Sequence, residues 1–315
     1  MVIRPWFTPF IVAFWCLTTG WLVIAKILPS LAPGNPPGYQ ALYTAGGKPI
    51  PVAWSVLWND QPLGWAMSLA RPTDGGGMTV ESRMRLDRIP LDEVLPGWTR
   101  TLVQRMVEGA SSPSDGPLPA SGPIVHAGPL GLEARGLLSI NASGGLEAFN
   151  STVDLPGVGD TVFLDGTVED GQVGITIRAK GLRYETSRHL PTTITLGDEL
   201  SPQAMMPGLE PGKRWTVPTY SPLRIGSSPL EVLHARVTGE ESLFWEDHLV
   251  RVLVVEYRDD PASHHRPRSR LWVDRSGRVL RQESQFFGST IAFLRRSDDA
   301  AASLSRNLEE EAASP

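Results

Sequence analysis

The N-terminal pattern of apolar and polar positions differs from everything after it. Between Arg4 and Lys26 stand 21 residues without a charge, Pro5 to Ala25, including Phe10 to Leu17 and Trp21 to Ala25. A helix of this length rises about 1.5 Å per residue and spans roughly 30 Å of hydrocarbon, which predicts one transmembrane helix within residues 1–28. Arg4 and the α-amino group precede the run, and the residues after Lys26 carry no charge until Lys48, so the positive-inside rule puts the N-terminus in the cytoplasm. The competing reading is a cleaved signal peptide, since Ser30-Leu31-Ala32 has the small-x-small form of a cleavage site. Against it, the run exceeds the usual apolar stretch of roughly 7 to 15 residues, and Pro33 would follow the cut.

Residues 29–51 hold Pro29, Pro33, Pro36, Pro37, Pro49 and Pro51 among four glycines, a linker that cannot continue a helix. From Val52 the period becomes two. Val52, Trp54, Val56 and Trp58 alternate with smaller residues, Asn59 to Gly64 reads as a turn, and Trp65 to Ala70 as the returning strand. Met78, Val80, Met84 and Leu86 alternate with Thr79, Glu81, Arg83 and Arg85, giving a strand with one wet face. A helical period breaks in from about Gly97 to Glu108, where Trp98, Leu102 and Met106 share a stripe and Gly109 is the stop. Residues 109–131 are rich in Gly, Pro and Ser and mark a loop between lobes or a boundary. Eight further strand-like runs follow, at 132–141, 146–155, 160–168, 173–180, 214–219, 230–238, 248–257 and 269–287. Their spacing is that of an antiparallel meander, and residues 52–296 are expected to form one β-rich extracytoplasmic domain. The acidic tail 297–315 has no aromatics and predicts disorder or a frayed helix. The expected fold is mainly β: a large curved antiparallel sheet, a half-barrel-like meander with one covering helix, preceded by a single N-terminal transmembrane helix.

Composition removes several functions. The chain has 315 residues, a net charge of −5 and one cysteine. It is long enough to bury a core without staples. Cys16 lies in the apolar run, so no intramolecular disulfide forms and cysteine chemistry drops out. No basic surface for nucleic acid is evident. Basic residues are nearly all arginine, with lysine only at Lys26, Lys48, Lys180 and Lys213.

Local signatures of chemistry are also missing. Neither Gly46-Gly47-Lys48 nor Gly212-Lys213 has the upstream glycine or following Ser/Thr of a phosphate-cradling loop. No G-x-S-x-G, Ser-x-x-Lys or HExxH occurs. The ligand-like cluster is Asp259-Asp260-Pro261-Ala262-Ser263-His264-His265, whose imidazoles and carboxylates offer zinc ligands or general acid/base groups. Pro261 and Pro267 make the plainer reading a solvated hairpin loop, and no metal and no cofactor are expected. Arg266, Arg268 and Arg270 open a basic stretch suited to an anionic headgroup or acidic partner. Its interleaved Asp274 and Glu283 fit a charged sheet edge instead. Trp54, Trp58 and Trp65, with Trp98, Leu102 and Met106, are candidates to line an apolar ligand groove, or to be core.

Three stretches carry a resemblance: Gly64-Trp65 after the Trp-rich strand, Gly208-Leu209-Glu210-Pro211-Gly212-Lys213-Arg214-Trp215, and Leu271 to Arg281 with its Trp-Val-Asp-x-x-Gly-x-Val-Leu hairpin. They resemble bacterial extracytoplasmic β-domains attached to some transglutaminase-like membrane proteins and, more remotely, the LolA/LolB lipoprotein-carrier fold. The resemblance spans residues 52–296 and implies a curved sheet cupping apolar ligands beneath a helix. It carries no catalytic residue. The expected function is that of a single-pass protein of the inner membrane with its body in the periplasm, a non-catalytic binding or assembly module for a lipid, a lipidated chain or an integral-membrane partner. The alternatives are a hydrolase-like enzyme using His264, His265 and Asp259, and a structural subunit of a membrane complex.

Overall fold

A computed structural model describes residues 14–15, 17–19, 51–89, 130–155, 160–179, 182–189, 195–196, 202–220, 230–286 and 288–313. The predicted anchor, the 29–51 linker except Pro51, and the helix expected near 97–108 lie outside these residues, apart from five positions of the apolar run. Among the described residues no helix is long and apolar enough to cross a membrane.

One sheet dominates the described structure. Its strands are β1 (Pro51–Trp58), β2 (Gln61–Pro72), β3 (Met78–Ile89), β4 (Leu130–Ile140), β5 (Leu146–Leu155), β6 (Asp160–Glu169), β7 (Gln172–Ala179), β8 (Leu182–His189), β9 (Thr195–Leu196), β10 (Arg214–Tyr220), β11 (Leu230–Trp245), β12 (His248–Arg258), β13 (Ser269–Asp274), β14 (Val279–Phe286) and β15 (Ser289–Arg295). They lie in the order β8-β7-β6-β5-β4-β3-β2-β1-β15-β14-β13-β12-β11-β10-β9. The meander thus starts in the middle, runs out to one edge, resumes at the other and returns to its start. All neighbours are antiparallel except the two-residue β9, which pairs with β10 in parallel. The expected antiparallel sheet is therefore present, and β3 pairs with β4 across the Gly/Pro-rich segment.

Several hairpins turn on two residues. Asn59 and Asp60 (φ 46° and 64°), Asp170 and Gly171 (50° and 73°), and Glu246 and Asp247 (46° and 62°) all take the left-handed conformation. Two successive positive φ values give the turn whose twist matches that of the strands, which suits Asn, Asp and Gly.

The main core fills one face of the sheet. Trp54, Val56, Leu86, Met206, Trp215, Val237, Val255, Leu271, Val273, Ile291 and Phe293 belong to one buried cluster, so strands from both wings pack on the same interior. A strap at 203–206 crosses this interior. Met206 N–H donates to Gly277 O at 2.7 Å, Ala204 O accepts from Val279 N–H at 3.2 Å, and Arg295 Nη1 donates to Ala204 O at 3.0 Å. Gly277 has φ +85°, and a Cβ there would stand 3.0 Å from Pro207 Cα. Gly277→Ala should therefore cost roughly 1 to 3 kcal/mol, from left-handed strain together with displacement of the strap. Equilibrium urea unfolding at unchanged slope checks this.

Of the two expectations for the acidic C-terminal segment, the described residues take the helical one. Asp298–Ala313 is a helix, α1, capped by Ser297, whose Oγ accepts from Ala300 N–H at 3.1 Å. Its first turn carries Asp298 and Asp299, the sign that the helix dipole favours. Ala301, Leu304 and Leu308, at helical spacing, pack on Ala53, Met67 and Trp65, on the sheet face opposite the main core. The apolar stripe is narrow and begins with alanine, which is why polar composition masks it.

Candidate functional site

The polar face of β10, β11 and β12 carries a cleft of about 590 Å³. Strand alternation places its residues. Trp215, Ala235 and Tyr257 are cross-strand partners turned to the core, so their neighbours Arg214, Thr216, His234, Arg236, Glu256 and Arg258 take the other face. Two rows result. One runs Arg214–Arg236–Glu256–Arg270–Glu283 and the other Thr216–His234–Arg258. A register shift between Val237 and Gly239, next to Thr238 on the cleft wall, ends this arrangement. Beyond that bulge the odd residues of β11 change face, so Leu243 and Trp245 cover Val252, Val254 and Trp272.

The 259–267 loop forms the other wall, with Pro261, Ala262, Ser263 and His264 lining the cleft. Arg258 holds it, donating from Nη1 to Ser263 O at 2.9 Å and to His265 O. Glu256 organises the floor. Its Oε2 accepts from Arg258 Nη2 at 2.8 Å and Nε at 3.2 Å, and its Oε1 from Arg270 Nη2 at 2.7 Å. Burial alone would raise the Glu256 carboxyl, but hydrogen bonds and charge from Arg258 and Arg270 hold it below its ordinary value.

The residues singled out from sequence separate in space. Of the histidine loop, His264 reaches the cleft, whereas the Asp259 carboxylate pairs with Arg268 Nη1 at 3.0 Å and makes no hydrogen bond to either imidazole. Among the described residues no group of three or more His, Cys, Asp and Glu is placed to hold a metal ion. Of Arg266, Arg268 and Arg270, Arg268 pairs with Asp259, Arg270 pairs with Glu256, and Arg266 stays on the exposed loop. Trp54 and Trp58 lie in the packed core, and Trp65 sits on the opposite face beneath α1. Hence these three tryptophans line no common groove. Trp98, Leu102 and Met106 lie outside the described residues. The cleft's own arginines, Arg214, Arg236 and Arg258, were not singled out from sequence. The charges at 214, 236, 256, 258 and 270 stand in the sequence, but their adjacency depends on three strand registers.

The chain matches no family model and no curated protein. The resemblance to domains attached to transglutaminase-like proteins therefore rests on its turn-and-strand motifs. Among solved structures, one described as a "beta-barrel-like protein of domain of unknown function DUF1849" from Brucella abortus is similar at 9% identity, with a TM-score of 0.43, over 79% of this chain and 96% of that one.

Proposed function

We propose that the chain is a membrane-tethered, extracytoplasmic binding or assembly module that holds its ligand without transforming it. The observation that carries this reading is the construction of the cleft. Glu256 is fixed between Arg258 and Arg270, strand register sets Arg214 and Arg236 on the same face, and Asp259, the carboxylate a histidine base would use for orientation, is engaged by Arg268. A rigid rim of donors around a cleft of this size suits recognition. The tether rests on the 21-residue uncharged run, in which Phe14, Trp15 and Leu17 are 62%, 65% and 74% exposed. Apolar side chains so displayed on a helical turn suit lipid. The main core on one face of the sheet is filled by Trp54, Met206 and Phe293, each 0% exposed, so in this reading a lipid or lipidated partner is accommodated at the surface.

The test has two parts. Protease added to cells with opened outer envelopes should digest residues 52–313, and the purified chain should retain Trp6 to Ala25. A mature N-terminus at Pro33 overturns the tether. A chain carrying Asp259→Asn and His265→Gln, neither of which lines the cleft, should complement a deletion strain at normal protein level. Failure to complement at that level overturns the non-catalytic reading in favour of the hydrolase-like one.

A further inference from the structure

The row Arg214–Arg236–Glu256–Arg270–Glu283 alternates in sign at every step except the first. Arg214 and Arg236 are direct cross-strand partners, and among the described residues neither has a carboxylate partner. Side chains directly opposite in an antiparallel pair stand about 4.5 to 5.5 Å apart at Cβ, and like charges there are destabilising. Arg270, the remaining arginine of the row, is paired with Glu256, so this pair stands out, and both members line the cleft. Within the lining, three arginines (Arg214, Arg236, Arg258) face one glutamate (Glu256), which leaves two positive charges in surplus (3 − 1 = 2).

We infer that Arg214 and Arg236 form an anion seat for a phosphate group, with the rest of the ligand running along the cleft toward the 261–264 wall. The inference rests on the reading of this cleft as a binding site. Guanidinium forks match the tetrahedral oxyanion bidentately, and two surplus charges match a phosphate dianion better than a single carboxylate. Thr216, on the same strand face two residues from Arg214, adds a hydroxyl donor. A phosphate fills only part of about 590 Å³, so the ligand is a phosphomonoester with a body. Both a soluble phosphorylated compound and the headgroup of a lipid such as phosphatidic acid present this chemistry.

The full chain, purified in detergent, is titrated calorimetrically at fixed ionic strength with inorganic phosphate, with glycerol 3-phosphate and with short-chain phosphatidic acid below its micelle concentration; malonate is the carboxylate control. At least one phosphate compound should bind the parent, and Arg214→Gln with Arg236→Gln should weaken that binding ten-fold or more. Preference for glycerol 3-phosphate identifies a soluble source, and preference for phosphatidic acid a headgroup. Without ligand the double variant should melt at or above the parent's temperature, since it loses only an unneutralised pair. A parent that binds none of the phosphates, equal binding of malonate, or binding that survives the double substitution each overturns the seat, without touching the topology and complementation results. A double variant that melts far below the parent overturns the claim that the pair is uncompensated, and the seat with it.

Discussion

Replacing Trp54 with alanine should cost about 3 to 5 kcal/mol, the range for deleting a fully buried large aromatic, because the transfer energy of the ring is lost and a cavity remains. Trp54 is 0% exposed, lies in the cluster with Val56, Met206 and Phe293, and has the guanidinium of Arg295 6.0 Å from its ring centroid. That guanidinium is itself buried and holds the 203–206 strap through Ala204 O, so the indole supports both wings of the sheet. Trp54→Phe separates ring volume from indole chemistry. Among the described residues the Trp54 indole N–H has no acceptor, so phenylalanine removes an unsatisfied donor along with part of the volume. Its cost should be less than half that of alanine. Urea unfolding of the two variants decides the matter, and a parent-like midpoint for Trp54→Ala would show an open groove in place of a packed core.

Acid should destabilise the protein through two buried carboxylates. Glu256 is held low by Arg258 and Arg270 despite burial. Asp274 is likewise held low despite burial, by Ser276 and by Arg278; its Oδ1 also accepts from Ser276 N–H and Arg278 N–H at 2.9 Å each. Both folded-state values lie below the unfolded ones of 4.5 and 3.8, so the charged forms are favoured by folding. Their stabilisation is complete above those unfolded values and is lost as pH falls through the folded ones. The urea midpoint should therefore decline from about pH 5 downward, and Glu256→Gln should flatten part of that decline. At neutral pH the same substitution should cost ~2 kcal/mol, less than the 3 to 5 of a fully buried broken pair because Arg270 retains some solvent. An acid limb of undiminished steepness in Glu256→Gln would assign the sensitivity elsewhere.

Local chemistry determined much of the fold. Alternation at Val52, Trp54, Val56 and Trp58 defines β1 and its buried face, and the runs 146–155 and 248–257 correspond closely to β5 and β12. These follow from the period-two geometry of a strand, which needs no partner to be legible. What escaped depends on contacts between distant residues. Pairing of β1 with β15 joins Trp54 to Arg295, and no local pattern announces where a meander closes on its first strand. The two-residue turn at Asn59-Asp60 starts a register in which Trp65 would face Trp54. A bulge between Val56 and Leu57 shifts the pairing so that Trp65 opposes Ser55 and goes to the other face, under α1. One inserted residue thus dismantles the tryptophan groove that the sequence suggests, because a one-residue slip exchanges the two faces of a strand. The cleft is the same lesson in charge. Arg214, Arg236, Glu256 and Arg270 are ordinary solvated residues along the chain, and only strand register turns them into a row with one unneutralised pair.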